Sequence, residues 1–149
     1  MDDFPMNNEK IEKEINSVND GYLLDVDIDN FMKVNNDFGR SGGDFVLIEV
    51  PKRLKKVLES KKILSDVTRI NADEFSIVLK NITEDEVKNL CETLINSMNS
   101  VIKYEDKEIP ISISIGVTKF GIKNENVIND ARDAMIQAKK NGRNQYSIK

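Results

Sequence analysis

Apolar positions along the chain change period several times, and each change marks an element. Residues 1–18 are mostly polar, with Ile11, Ile15 and Val18 at helical spacing, which predicts a short lead-in helix, the end of a linker from an upstream module. Residues 21–28 read as a strand, apolar until aspartates begin. Asp29 is placed to cap a helix running to about Asn36, and residues 38–43, rich in glycine, read as a loop. Phe45, Leu47, Ile48, Leu54, Val57 and Leu58 predict a helix over 44–60, with Pro51 expected to kink it or remove a hydrogen bond.

Residues 63–70 and 75–79 predict two strands joined by a tight turn at Asn71-Ala72-Asp73-Glu74. Thr83-Glu84-Asp85-Glu86 has the form of a capping box for a helix reaching about Ser100. Residues 101–104 and 109–118 predict a hairpin, with Ile109, Ile111, Ile113, Ile115 and Val117 on one face. A helix over 126–140 ends at Asn141-Gly142, and a short strand over 145–148 closes the chain. The order β-α-α-β-β-α-β-β-α-β implies an α+β (α/β sandwich) fold: a central, mostly antiparallel sheet with helices on both faces.

Composition narrows the chemistry. The 149 residues suit one domain, 39% hydrophobic and 32% charged, and the net charge of −4 argues against a nucleic-acid-binding module. The basic run Lys52, Arg53, Lys55, Lys56, Lys61 and Lys62 reads as a solvated helix face. There is no histidine and one cysteine, Cys91, which lies among Leu90, Leu94 and Ile95 and reads as a buried thiol. Zinc sites and histidine bases are therefore outside the repertoire, and proton transfer would fall to carboxylates, lysines or water. No apolar run is long enough to span a membrane and no signal peptide is visible, so no membrane contact is expected of this segment and the expected location is cytoplasmic.

The chemistry concentrates in carboxylates. Asp25, Asp27 and Asp29 alternate along a strand end and so point the same way, where three like charges repel unless a cation joins them. A calcium loop fails on Asn30 and Asn36, where such a loop needs Gly and Glu; a solvated strand end is the plain alternative. Asp73 and Glu74 form an acidic pair at a hairpin tip. Folded beside Asp27 they would offer a hard oxygen site suited to Mg²⁺ (or Mn²⁺). Lys139 and Arg143 stand at a helix C-terminus, either as cations favoured by the helix dipole or as phosphate ligands.

Four ordered motifs tie these pieces together: Asp27-Ile28-Asp29-Asn30-Phe31-Met32-Lys33-Val34-Asn35-Asn36 followed by Gly43-Asp44, then Arg69-Ile70-Asn71-Ala72-Asp73-Glu74-Phe75, Ser114-Ile115-Gly116, and Ala138 through Asn144. In this set the chain resembles the GGDEF family, the diguanylate cyclase domain, over nearly all of 20–148, with the domain placed at 19–149. The resemblance implies a palm-like nucleotidyl-cyclase sheet. It implies two domains meeting as a homodimer, each with one GTP, to form cyclic di-GMP and pyrophosphate. By position, it implies Mg²⁺ on Asp27, Asp73 and the Ile28 carbonyl, with Glu74 holding a second metal or assisting deprotonation. Asn35 and Asp44 would read guanine, Lys139 and Arg143 would neutralise the phosphates, and Arg69 would lie close by. In the full-length protein it implies an N-terminal sensor and a C-terminal cyclic di-GMP phosphodiesterase (EAL) domain as partners.

The chain departs from that pattern at identifiable places. Asn71 and Ala72 replace the two signature glycines, and a left-handed turn there would cost on the order of 1 kcal/mol per residue. Met32 stands where the family has a phosphate-binding lysine, Arg132 replaces an aspartate and Ile136 a tyrosine. The product-inhibition motif falls on Lys62-Ile63-Leu64-Ser65, with both charged ends altered. These departures imply a degenerate domain that binds Mg²⁺–GTP with weak or absent cyclase activity. The alternatives are an active cyclase and a non-catalytic interaction module.

Overall fold

A computed structural model describes residues 4–121 and 126–149; residues 1–3 of the expected lead-in lie outside it. The elements are α1 (Phe4–Asn16), β1 (Gly21–Ile28), α2 (Phe31–Ser60), β2 (Thr68–Asn71), β3 (Glu74–Lys80), α3 (Glu84–Asn96), β4 (Ile102–Tyr104), β5 (Lys107–Ile109), β6 (Ile113–Phe120), α4 (Val127–Lys140) and β7 (Tyr146–Ile148). Five strands form one sheet in the order β2-β3-β1-β6-β7, antiparallel throughout except where β7 joins β6 in parallel. β4 and β5 make a separate small hairpin.

The two-residue strand period divides β1, β3 and β6 between two faces. Tyr22, Leu24, Val26, Ile28, Phe75, Ile77, Leu79, Ile113, Ile115 and Val117 face α2 and α3 in the main core. Leu23, Val78 and Phe120 face the other way, joined by Ile11 and Ile15 of α1 and Ala131 of α4. Helices thus cover both faces, as the element order implied. α1 is docked against the sheet: Ile11 and Ile15 are buried, and Asn7 Nδ2 donates to the Arg69 carbonyl at 2.5 Å.

Several elements differ from the sequence expectation. The two helices expected over 29–36 and 44–60 form one run, broken at Gly39 (φ 76°, ψ 170°). Pro51 does not break it, since Gly39 is the one residue inside α2 with non-helical angles. Asp29 is not the cap. Asn30 holds that position in a left-handed conformation with no side-chain capping bond. The strand expected over 63–70 shrinks to Thr68–Asn71, because its first half satisfies its backbone elsewhere. Ile63 N–H closes α2 onto Leu58 O, and Lys55 Nζ takes the Ser65 carbonyl at 2.8 Å. The strand expected over 109–118 is cut after Ile109 by Pro110, which has no N–H for a ladder. The capping box forms as read: Thr83 Oγ1 accepts from Glu86 N–H and Glu86 Oε1 from Thr83 N–H. Cys91 is buried, which pushes its thiol up to about 12.

Candidate active site

The site grows from one end of β1. Asp27 pairs across the ladder with Glu74 at the start of β3, and Ile28 N–H donates to the Asp73 carbonyl at 3.1 Å. The two acidic segments, far apart in sequence, therefore meet as expected. Asp25, Asp27 and Asp29 do point to one side, toward α4. The charges that answer them are the protein's own: Arg132 near Asp25, and Lys139 near Asp27 and Asp29.

Helix α4 reaches that position because Gly116 lets it. A Cβ at Gly116 would run into the Ala131 carbonyl and the Met135 backbone, so only glycine allows this approach. That contact explains why Ser114-Ile115-Gly116 ends in glycine. α4 then ends in a turn in which Arg143 and Asn144 both have positive φ (64° and 53°). The turn aims Asn144 N–H at Asp29 Oδ2, 3.0 Å away. Asp29 also accepts from Ser112 Oγ and Ser114 Oγ, each at 2.6 Å. Its role is to fasten α4's exit and β6 to the end of β1.

Asp27 is differently placed. Lys139 Nζ lies 3.1 Å from Asp27 Oδ2 and 3.4 Å from the Ile28 carbonyl. Asp27 Oδ1 is buried without a hydrogen-bond partner. Burial, with the Asp73 charge nearby, raises the Asp27 carboxyl to about 7 against the pull of Lys139. An orphaned anionic oxygen beside a backbone carbonyl is a fitting place for a hard divalent cation. Asp27, Ile28 O and Asp73 are thus suited to Mg²⁺. Among the described residues, no three acidic side chains come close enough to hold a metal between them.

Glu74 has other partners. It is 5% exposed, and it accepts from Asn71 Nδ2 at 2.6 Å and from Arg132 Nε and Nη2 at 3.2 Å each. Burial alone would raise its pKa, but hydrogen bonds from Asp25, Asn71 and Arg132 outweigh it and hold Glu74 low. Asp25 shows the reverse: burial first, then Glu74, lift it well above the usual carboxylate range.

The signature turn corrects one expectation. None of Asn71, Ala72, Asp73 or Glu74 has a positive φ, so the Asn71-Ala72 replacement carries no left-handed strain. A register shift between Arg69 and Asn71 accommodates the turn, and Arg69 Nε braces it by donating to the carbonyls of Asn71 (3.3 Å) and Ala72 (3.0 Å). The other predicted residues lie on α2 and on the turn after α4. Asn35 presses its amide oxygen against Gly43, which brings it next to Asp44, an exposed residue across the Gly39 break. Arg143 is exposed on the turn after α4, and Met32 is 78% exposed at the start of α2. Sequence reasoning missed Arg132 as a member of the acidic centre. The signal available for Arg132 was a cation seven residues before Lys139, two helical turns away on the same face.

Comparison with known proteins agrees with this arrangement. Residues 6–145 match the family model described as diguanylate cyclase, GGDEF domain. Diguanylate cyclase A of Treponema denticola is 30% identical over 130 residues, covering 85% of this chain and 34% of that protein. The bifunctional diguanylate cyclase/cyclic di-GMP phosphodiesterase MucR of Pseudomonas aeruginosa is 29% identical over 127 residues, covering 83% of this chain and 18% of that protein. This chain thus spans about a third or less of these relatives. The crystal structure of diguanylate cyclase SiaD from Pseudomonas aeruginosa, in complex with its activator SiaC, superposes with a TM-score of 0.83 at 22% identity, over 98% of this chain and 56% of that one. With its palm-like sheet, its paired acidic segments and a family match over nearly its whole length, this chain belongs to the GGDEF family.

Proposed function

We propose that this domain binds Mg²⁺–GTP with weak or absent cyclase turnover, and that it regulates an attached cyclic di-GMP phosphodiesterase domain. The observation that carries the reading is Asp27: a half-buried carboxylate whose Oδ1 is buried and unpaired, beside the Ile28 carbonyl and under Lys139. Asp27, Ile28 O and Asp73 would hold the cation. When bound, Mg²⁺ neutralises triphosphate charge and polarises the phosphoryl oxygens. Lys139 is already within reach of that place and would pass from Asp27 to a phosphate oxygen, with Arg143 beside it. Asp44 would accept from the ring N–H and exocyclic amine of guanine, which adenine does not offer in that arrangement, and Asn35 would complete the contact.

Weak turnover follows from three features. Ala72 puts a methyl group where the family's glycine lets backbone N–H groups approach phosphate. Met32 supplies no charge. Glu74, the expected second catalytic carboxylate beside Asp73, is engaged by Arg132 and Asn71. Regulation of a phosphodiesterase partner is supported by the pairing of cyclase and phosphodiesterase activities named for MucR. The test is to incubate the purified domain at high concentration with GTP and Mg²⁺ and to separate the nucleotides. Bound but unchanged GTP is expected; abundant cyclic di-GMP overturns the low-turnover reading.

One observation favours a second reading, an active cyclase. The Asn71-Ala72 turn is unstrained, so the altered signature is no obstacle to folding of the hairpin. In that case two copies must meet, and the rate per chain would climb with protein concentration.

A further inference from the structure

The proposed reading gives Arg132 no part in binding, yet its side chain sits at the centre of the acidic face. It lies on the second turn of α4, held over β1 and β3 by the close approach at Gly116. Its Nε is 3.2 Å from Glu74 Oε2 and its Nη2 is 3.2 Å from Glu74 Oε1, a two-pronged contact. Asn71 Nδ2 reaches Oε1 at 2.6 Å. Arg132 Nε also lies 3.9 Å from Asp25 Oδ2.

A carboxylate has roughly four lone-pair sites. On Glu74 two are taken by the guanidinium and one by Asn71. Both oxygens already accept from Arg132, so an inner-sphere metal ion would have to share one with the guanidinium. Its ladder partner Asp27 differs, since Oδ1 there has no partner at all. Arginine stays charged at every relevant pH, and its planar fork matches a carboxylate, so this is a permanent counter-charge.

We propose that Arg132 is an internal counter-cation that withholds Glu74 from divalent-cation coordination, so that the site takes one cation, on Asp27 and Asp73, where a free Glu74 would hold a second. Arg132 is a positioning residue here; it acts through Glu74. The inference rests on the Mg²⁺–GTP reading for the first cation only.

The test is a Mn²⁺ titration followed by electron paramagnetic resonance, with a non-hydrolysable GTP analogue present. The proteins are wild type, Arg132→Gln, Glu74→Gln and the double variant. Wild type and Glu74→Gln are expected to bind one Mn²⁺ per chain with equal affinity. Arg132→Gln is expected to bind two, close enough for spin coupling, and the double variant to return to one. An Arg132→Gln protein that still binds one ion overturns the inference. Should Arg132→Gln not fold, Glu74→Gln decides: unchanged Mn²⁺ affinity supports the inference, and a loss of about 10-fold or more, as for a coordinating group, overturns it. If wild type binds no Mn²⁺ even with the analogue, the Mg²⁺–GTP reading fails separately. In that event a Mn²⁺ ion gained by Arg132→Gln still supports the role of Arg132, and no gain overturns it.

Discussion

The two faces of the same three strands have been given opposite tasks. Toward α2 and α3, β1, β3 and β6 present aliphatic and aromatic side chains with almost no exposure. Toward α1 and α4 the same strands present Asp25, Asp27, Glu74, Ser76, Ser114 and Thr118 beside a smaller apolar cluster, and most of these polar groups are buried too. One face gains stability from transfer of apolar surface out of water. The other carries ionisable groups that burial destabilises unless each finds a partner. The difference teaches that this domain places its chemistry on the costly face and steadies it with cations borrowed from α4.

Removing apolar volume should show the largest effect. Leu24 is 0% exposed in the main core, and Leu24→Ala should lose about 2–5 kcal/mol of stability, read by urea denaturation. A loss well under this range would mean that the apolar face is not the main source of stability. Gly116→Ala attacks the contact that joins the two faces. Its methyl meets backbone rather than flexible side chains, so a cost of about 1–3 kcal/mol is expected. It should also weaken GTP binding, because Lys139 rides on the displaced helix. Stability lost with GTP affinity intact would separate α4 from the site.

Asp44→Ala should do the opposite, leaving the melting temperature unchanged while weakening GTP by roughly 10-fold, about one hydrogen-bonded charge. A smaller effect is expected from pH. Asp27 has an ordinary value of 3.8 and a folded value of about 7, so between these the unfolded chain has released a proton that the folded chain keeps. Stability in metal-free buffer should therefore fall as pH rises from about 4 to about 7 and level off above it, with Asp25 acting in the same direction. Glu74 is lowered, so its contribution is present above its unfolded value and lost only at more acid pH. A stability that climbs steadily from pH 5 to 7 would contradict the assignment of Asp27 and Asp25 as destabilised carboxylates.

Much of this was legible because local signals and tertiary demands agree. The apolar run that ends in aspartates over 21–28, the Thr83 capping box and the Asn141-Gly142 stop are short-range patterns, and each produced its element. Residues 63–67 misled because Ile63 and Ser65 spend their backbone groups on α2 and on Lys55, partners that no strand period announces. Asp29 looked like a cap because Ser112 and Ser114, which hold it, lie more than eighty residues away. The same holds for the site. Asp27, Asp73 and Glu74 were named from sequence, but the pairing of Glu74 with Arg132 depends on how closely α4 packs over Gly116. Only packing revealed that.

The central claim is that the polar face binds guanine nucleotide through Mg²⁺. A calorimetric titration of the domain with GTP and with ATP, each with Mg²⁺ and with EDTA, tests it most directly. Saturable GTP binding that disappears in EDTA is expected, with ATP binding weaker by about 10-fold or more, as the loss of paired hydrogen bonds at Asp44 requires. Equal affinity for the two nucleotides, or GTP binding indifferent to EDTA, would contradict it.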